Sequence, residues 1–146
     1  MSIKPIPDGF HAVTPYLFAD GASRLIEFIS AAFDGELTFR QTRADGAIMH
    51  ATMRIGDSML MLADASPEFG PMPTSIYFYV HDCDAVYHSA LKAGGLSVFP
   101  IMTLPSGERY GGVKDPGGNI WSVATHVEDV PLDEQERRWK ELKMPR

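Results

Sequence analysis

The chain has 146 residues, of which 45% are hydrophobic and 22% are charged, and its formal net charge is −6. This size and composition indicate one ordinary globular domain or two small modules that share a core. The acidic balance and the lack of a basic stripe argue against nucleic acid as a partner.

Further features of the sequence exclude a membrane span, an internal disulfide and a zinc–thiolate cluster. No apolar run of about 18 residues is present, so the sequence predicts no membrane span. The first residues lack the basic-then-apolar pattern of a signal peptide, which favours the cytoplasm. Cys83 is the only cysteine, so an internal disulfide and a zinc–thiolate cluster are excluded. The eight methionines and eight phenylalanines form either a core or the lining of an adaptable apolar pocket.

The first half of the chain has the order strand, helix, strand, strand, strand after an irregular arm at residues 1–10. β-Branched and aromatic residues between turn signals predict four strands, at residues 11–19, 36–42, 47–55 and 58–63. Leu25, Ile29 and Phe33 recur at helical spacing, which predicts a helix that begins after the N-cap Asp20.

Two short turns set the strand register in this half. Asp45-Gly46 is a strong hairpin signal, and Gly56-Asp57 forms a second two-residue turn. Counted from these turns, His50 lies opposite Gln41 and on the same face as Met61.

The same order of elements returns in the second half. Strands are predicted at residues 75–80, 96–104, 110–114 and 119–126, and a helix begins at Asp82 or Asp84 and ends near Ala93. Asp20 and Asp82 both lie at strand-to-helix junctions, 62 residues apart, which indicates a tandem duplication. The chain then divides into a first module, a linker, a second module and a C-terminal tail with a short helix, at residues 11–64, 65–74, 75–128 and 129–146.

The hairpin at residues 110–126 closes the second module. Its turn begins with Asp-Pro and continues with two glycines, which is strong turn chemistry. A four-residue turn at residues 115–118 places Gly111 opposite Ser122. Arg109 then lies two positions earlier on the same face as Ser122.

Seven segments form a set that resembles a known family. They are VTPYL at 13–17, HA at 50–51, IGDS at 55–58, LML at 60–62, RYG at 109–111, DP at 115–116 and WSVATHVED at 121–129. Together they resemble the vicinal oxygen chelate (glyoxalase/bleomycin resistance/dioxygenase) superfamily, and within it the PhnB-like branch. The resemblance covers roughly residues 11–130.

The resemblance carries expectations about fold and assembly. It implies an α+β fold in which two tandem β-α-β-β-β modules form a curled mixed sheet around a central cleft, with the helices outside. It also implies a homodimer. In metal-using members, side chains from the first and last strand of each module bind one divalent ion.

The ligand positions that the resemblance implies are Val13, Met61, Ser75 and Ser122. Divalent ions prefer histidine nitrogen or carboxylate oxygen, and none of these four residues offers either. Their direct neighbours in the sequence are no better. We therefore predict no metal cofactor, which argues against the metal-dependent lyase and dioxygenase chemistry of the superfamily.

Strand alternation points a further set of side chains into the implied cleft. The residues predicted to bind a ligand are Gln41, His50, Met61, Ser75, Tyr77, Arg109 and Ser122. An apolar wall with a few polar groups is typical of a small-molecule site. His50 is either a candidate catalytic base or a structural histidine held by Gln41. Arg109 either binds an anionic ligand group or forms an ion pair near the strand end.

Three functions remain open at this stage. The first is a PhnB-like protein that binds a small organic molecule without a metal, and the sequence favours it. The second is a metal-dependent lyase, isomerase or dioxygenase with a rearranged ligand set such as His11, His50 and Glu108. The third is a metal-free enzyme with His50 as base and Arg109 as anion clamp.

Overall fold

A computed structural model describes residues 2–142, which contain eight strands and three helices. The strands are β1 (Tyr16–Ala19), β2 (Glu36–Thr42), β3 (Ile48–Ile55), β4 (Ser58–Asp64), β5 (Ser75–Tyr79), β6 (Leu96–Thr103), β7 (Glu108–Lys114) and β8 (Ile120–His126). The helices are α1 (Ala22–Phe33), α2 (Cys83–Lys92) and α3 (Leu132–Glu141). Residue 1 and residues 143–146, the outer ends of the predicted arm and tail, lie outside the described residues.

The strands form two separate four-stranded sheets, one in each half of the chain. Sheet A has the order β1-β4-β3-β2, and sheet B has the order β5-β8-β7-β6. In each sheet the first strand is parallel to the last, and the crossover that a parallel pair needs contains a helix. The predicted α+β fold of two tandem β-α-β-β-β modules is confirmed. We call β1–β4 with α1 module 1, and β5–β8 with α2 module 2.

Helix α1 begins one residue later than predicted, and a distant carboxylate caps it. The Asp64 side chain, at the end of β4, accepts the backbone N–H groups of Gly21 and Ala22 at 3.1 and 2.8 Å. Its second oxygen accepts the N–H of Ile48 at 2.7 Å. Asp20 is therefore not the N-cap, because Gly21 occupies that position in a left-handed conformation with φ of 82°.

Helix α2 is capped as predicted. The Asp82 carboxylate accepts the N–H of Ala85 at 3.2 Å. Thr125, at the end of β8, adds a second cap because its hydroxyl accepts the N–H of Cys83 at 3.0 Å. In both modules the last strand thus holds the start of the helix.

A single hydrophobic core joins the modules. The two helices pack against each other, and the Ser89 hydroxyl of α2 donates to the carbonyl of Ala31 at 3.3 Å. Phe33, at the end of α1, contacts Phe78 and Trp121 of module 2, with ring centroids 5.3 and 4.6 Å apart. Burying a large apolar side chain contributes about 1.5–3 kcal/mol, so these aromatic contacts couple the stability of the two halves.

The first strand is shorter than predicted. Proline has no N–H for a ladder, and regular pairing in β1 begins only after Pro15, at Tyr16. Tyr16 pairs with Met61, whose N–H donates to the Pro15 carbonyl at 2.9 Å. The prediction that Val13 lies in the first strand is wrong, because Val13 precedes the strand and is 86% exposed.

The closing hairpin differs from the predicted register by one residue. The Asp115 N–H donates to the Asn119 carbonyl at 2.9 Å, so three residues rather than four form the loop, and Gly112 lies opposite Ser122. The buried Asp115 carboxylate fixes this turn because it accepts the backbone N–H groups of Gly117 and Asn119 at 2.8 and 2.9 Å. It also accepts the Trp121 indole N–H at 2.8 Å, which ties the turn to the core.

This shift places Arg109 on the helix side of sheet B. Its Nε and Nη2 atoms donate to the two carboxylate oxygens of Asp84 in α2 at 2.7 and 2.8 Å. These hydrogen bonds hold the pKa of Asp84 well below its usual range, at about 2. The prediction that Arg109 shares a face with Ser122 is wrong, and the alternative of an ion pair near the strand end is confirmed.

Helix α3 follows the prediction of a charged C-terminal helix. Arg138 holds it to the body of the protein through two hydrogen bonds of 2.9 Å to the Glu128 carboxylate. Of the helices within residues 2–142, none has the length and apolar character needed to cross a membrane.

Candidate functional site

Each sheet has one face covered by helices and one face without them. In sheet A the buried residues Leu17, Met53 and Leu62 face α1, and the residues that alternate with them face the other way. We call that other side open face A; it includes Tyr16, Phe18, Gln41, His50, Thr52, Met59 and Met61. Open face B is the corresponding side of sheet B; it includes Ser75, Tyr77, Tyr79, Glu108, Tyr110, Gly112 and Ser122.

A tyrosine–histidine pair lies on open face A. The hydroxyl oxygen of Tyr16 and Nδ1 of His50 are 2.9 Å apart. Phe39 also contacts the imidazole, with ring centroids 5.8 Å apart. His50 lies opposite Gln41 in the ladder, as predicted, yet its hydrogen-bond partner is Tyr16. Partial burial raises the pKa of Tyr16, so its phenol keeps its proton well above neutral pH.

Aromatic rings extend open face A away from this pair. Tyr16 stacks on Phe18 with centroids 4.6 Å apart, and Phe18 stacks on Phe69 at 5.3 Å. Successive planes differ by only 14° and 13°, so the three rings form one parallel stack. Met59 and Met61 add flexible thioethers to the same wall, which suits it to apolar ligands of varied shape.

Open face B carries a group of tyrosines. The Tyr77 ring lies 5.2 Å from Tyr79 and 6.2 Å from Tyr110 by centroid distance. Burial, and secondarily the charge of Glu108, raise the pKa of Tyr77 to about 12. Gly112 leaves room for the ring of Phe99, because a Cβ atom at this glycine would lie only 2.3 Å from it.

Glu108 lies at the centre of a hydrogen-bonded chain at one end of open face B. The Tyr79 hydroxyl donates to one carboxylate oxygen, and Nδ1 of His126 lies 3.0 Å from the other. Nε2 of His126 lies 2.6 Å from the Asp129 carboxylate. A carboxylate can only accept, so two such contacts favour the protonated imidazole, in which both ring nitrogens donate. Hydrogen bonds to Asp129 and Glu108 accordingly raise the pKa of His126.

Six of the seven residues predicted to bind a ligand lie on the open faces. Gln41, His50 and Met61 are on face A, and Ser75, Tyr77 and Ser122 are on face B. Their role in binding stays a prediction. Within residues 2–142, aromatic contacts on each open face involve rings of the same module only.

The sequence reasoning missed Tyr16 and Tyr110 as residues of the open faces. Tyr16 was hidden because a strand starting before Pro15 points it the other way, and Tyr110 because of the one-residue error in the hairpin. One signal could have found Tyr16. Tyr16 pairs with Met61 as Tyr77 pairs with Ser122, and an offset of 61 residues for both strands gives this register.

The residues at the implied metal positions do not fit a divalent ion. Of the four implied positions, Val13 and Ser75 carry no usual ligand group, and the first strand of each module places Tyr16 beside Met61 and Tyr77 beside Ser122. Phenol, thioether and hydroxyl groups are poor ligands for such an ion. Across residues 2–142, no three His, Cys, Asp or Glu side chains are grouped so that they could hold a metal. The alternative set of His11, His50 and Glu108 is therefore not assembled within one chain.

The segment before β1 contributes to a different feature, a cavity of about 260 Å³ between the modules. His11 and Val13 line it together with apolar residues of both halves, which include Met59, Ile76 and Trp121. His11 is thus placed at the seam between modules.

Comparison with known proteins places this arrangement in a family. Residues 9–123 match the model of the Glyoxalase/Bleomycin resistance protein/Dioxygenase superfamily, which is most of the chain. An uncharacterized protein from Mycobacterium bovis is 35% identical over 134 residues, which cover 84% of this chain and 88% of that protein. An uncharacterized protein from Mycobacterium tuberculosis is also 35% identical over 134 residues, and the aligned segment covers 84% of this chain and 79% of that protein.

Solved structures support the fold. TioX from Micromonospora sp. ML1 superposes with a TM-score of 0.68 at 24% identity, over 80% of this chain and 99% of that one. The PhnB protein from Bacillus cereus gives a TM-score of 0.64 at 22% identity, over 79% and 99% of the two chains. At these identities the likeness concerns the fold alone.

Proposed function

The chain belongs to the Glyoxalase/Bleomycin resistance protein/Dioxygenase superfamily, and we propose that it is a PhnB-like member that binds a small organic molecule without the usual divalent ion. The ligand is apolar or aromatic in its main part. It lies against open face A, with open face B as the opposite wall.

The observation that carries this proposal is the chemistry of open face A. A parallel stack of three rings and two methionines forms an apolar wall. His50, Gln41 and Thr52 add a few polar groups, which is the composition of a small-molecule site. The implied metal positions hold no group that a divalent ion prefers, which supports binding without a metal.

A homodimer is part of the proposal. On open face B of a single chain, Tyr77 is 46% exposed and Tyr79 is 59% exposed, and Phe39 and Phe69 are exposed in module 1. Aromatic patches of this kind mark surfaces that bind a partner or a ligand. We propose that open face A of one copy faces open face B of a second copy, with the ligand between them. Light scattering should then give twice the 16.1 kDa mass of the chain.

Metal analysis combined with ligand identification tests the proposed function. Protein purified without a histidine tag is analysed for Ni, Zn, Mn and Fe, and is then denatured so that any released small molecule is detected by mass spectrometry. We expect less than stoichiometric metal and, where a molecule is released, one with an aromatic or extended apolar part. Stoichiometric metal that resists purification would contradict the proposal.

A metal-free enzyme that uses His50 as base is the second candidate. It is favoured by the position of His50, which is half-buried on the open face between aromatic rings. A substrate found by screening would decide the matter, because a His50→Ala variant with full turnover would exclude this role. The cytoplasmic location and the lack of a nucleic-acid partner stay predictions from the sequence.

A further inference from the structure

The hydrogen bond between Tyr16 and His50 joins two strands that are not neighbours. β1 and β3 both pair with β4, so the 2.9 Å contact crosses over that strand. Pairing fixes both ends, because Tyr16 is opposite Met61 and His50 is opposite Gln41. The geometry is therefore built into the sheet.

The chemistry of the two groups decides which of them donates. A neutral imidazole has one nitrogen that donates and one that accepts, and the partner of one nitrogen sets the role of the other. A phenol is the stronger acid of the two, and an imidazole nitrogen is a much better acceptor than a phenol oxygen. Tyr16 keeps its proton because burial raises its pKa. The Tyr16 hydroxyl therefore donates to Nδ1 of His50.

We infer that Tyr16 holds neutral His50 in the form protonated at Nε2, so that His50 offers a hydrogen-bond donor to the ligand. The inference rests on the proposed function, and it names the ligand class more closely. The ligand carries a hydrogen-bond acceptor, such as a carbonyl or carboxylate oxygen, next to an aromatic or apolar part. Tyr16 is a positioning residue that acts through His50.

Two features of the surroundings agree with this assignment. Within residues 2–142, Nε2 of His50 has no hydrogen-bond partner, so its proton is free to meet a ligand. The rings of Tyr16 and Phe39 both lie within 6 Å of the imidazole by centroid distance, at 5.6 and 5.8 Å. An acceptor at Nε2 would therefore be flanked by aromatic surface. In this form His50 has no free lone pair for the proton-abstracting role that a general base requires.

Module 2 supplies a matched control. Its strands place Tyr77 where module 1 has Tyr16, and Tyr110 where module 1 has His50. Those two rings stack at 6.2 Å with planes 27° apart. The Nε2–H donor of His50 on open face A thus has no counterpart in module 2. Removing the phenol hydroxyl of Tyr16 in one variant and that of Tyr77 in another gives a matched pair.

The test is the nitrogen NMR spectrum of the whole protein with ¹⁵N-labelled histidine, recorded near pH 8, about 1.5 units above the ordinary histidine pKa. We expect His50 to show an unprotonated Nδ1 and a protonated Nε2. Tyr16→Phe should give a mixture of the two neutral forms, and Tyr77→Phe should leave His50 unchanged. A protonated Nδ1, or no change in Tyr16→Phe, would overturn the inference.

Two probes of similar size then test the ligand class separately from binding itself. Acetophenone offers a carbonyl acceptor, and benzylamine offers only a donor at this pH. We expect acetophenone to shift the His50 Nε2 resonance more than benzylamine does, and the reverse order would overturn the inferred ligand class. Failure of every aromatic probe to perturb either open face would instead count against the proposed function, because the free-protein spectrum already decides the state of His50.

Discussion

Modules 1 and 2 can be compared position by position. Tyr77 and Ser122 follow Tyr16 and Met61 by 61 residues each and form the same parallel pair. The helix caps obey the same offset, since Asp64 and Thr125 each accept a backbone N–H at the start of the helix in their own module. The scaffold is thus repeated down to individual hydrogen bonds.

The open faces differ although the scaffold is the same. Module 1 presents the Tyr16–His50 pair on an apolar wall, whereas module 2 presents tyrosines and the charged chain of Glu108 and His126. The repeated parts are therefore those that hold the backbone, whereas the residues on the open faces differ between the modules. A cleft made from both faces has two unlike walls and can orient an unsymmetrical molecule.

The largest expected effect concerns the core residues that the offset relates, Leu60 and Trp121. Both are buried, but only Trp121 also contacts Phe33 of the other module and donates its indole N–H to Asp115. Trp121→Ala should cost about 3–5 kcal/mol of unfolding free energy, and Leu60→Ala about 2–4 kcal/mol. Urea unfolding measures both. A smaller loss for Trp121→Ala would show that the shared core does not depend on this residue.

The helix caps give the next largest difference. Asp64→Ala removes the acceptor of three backbone N–H groups, and Thr125→Ala removes the acceptor of one. Loss of a cap costs about 0.5–2 kcal/mol, so Asp64→Ala should lie at or above the top of that range and Thr125→Ala in its lower half. Asp64→Asn keeps one oxygen acceptor and serves as control. Equal losses of unfolding free energy for the two alanine variants would show that the Asp64 cap is no stronger than the Thr125 cap.

The charged pairs of module 2 should make its stability depend on pH in two windows. The pKa of Asp84 is lowered to about 2, so its stabilisation is present above the unfolded pKa of about 3.9 and is lost as the pH falls towards 2. The pKa of His126 is raised, so its stabilisation is full below about pH 6.5 and is lost as the pH rises through the folded value.

Two variants separate these windows by thermal unfolding. Asp84→Asn should lower the Tm at neutral pH and match the parent protein at strongly acidic pH. His126→Gln should lower the Tm below about pH 6.5 and match the parent at alkaline pH. A Tm difference for His126→Gln that grows with rising pH would contradict the cationic state of this histidine.

The smallest expected effect is spectroscopic. Tyr77 should titrate with a pKa of about 12, because burial and the charge of Glu108 disfavour its phenolate. Tyr77→Phe should therefore remove the latest step of the ultraviolet phenolate titration, while Glu108→Gln should move that step to lower pH. A Tyr77 that titrates like free tyrosine would mean that open face B is more hydrated than the structure indicates.

Much of the fold could be predicted from the sequence, because turn chemistry and apolar spacing act locally. The two-residue turn Gly56-Asp57 is confirmed and sets the register of β3 against β4. The Asp45-Gly46 turn is one residue longer than predicted, because the Arg43 N–H donates to the Ala47 carbonyl, and the pairing of His50 with Gln41 is confirmed only because a register shift after Gln41 compensates. The errors arose where distant groups decide the geometry. The Asp115 carboxylate shortens the second turn by binding N–H groups beyond it, and this turns Arg109 away from the open face.

The candidate site was harder to predict than the fold for a related reason. Which residue bonds to His50 depends on the start of β1, and the start depends on Pro15 and on its partner strand β4. A shift of one residue in any strand moves all of its side chains to the opposite face. Alternation alone therefore found most of the open-face residues but missed Tyr16.

The central claim is that the protein binds an organic molecule on its open faces without a divalent ion. The most direct measurement is a methyl NMR titration of EDTA-treated protein labelled in its methionines, with a panel of aromatic ketones and phenols. We expect the Met61 methyl group, on open face A, to shift with ligand, and the Met53 methyl group, buried against α1 in the adjacent strand, to stay in place. Shifts that appear only after Ni, Zn or Mn is added, or a panel that leaves Met61 unchanged, would contradict the claim.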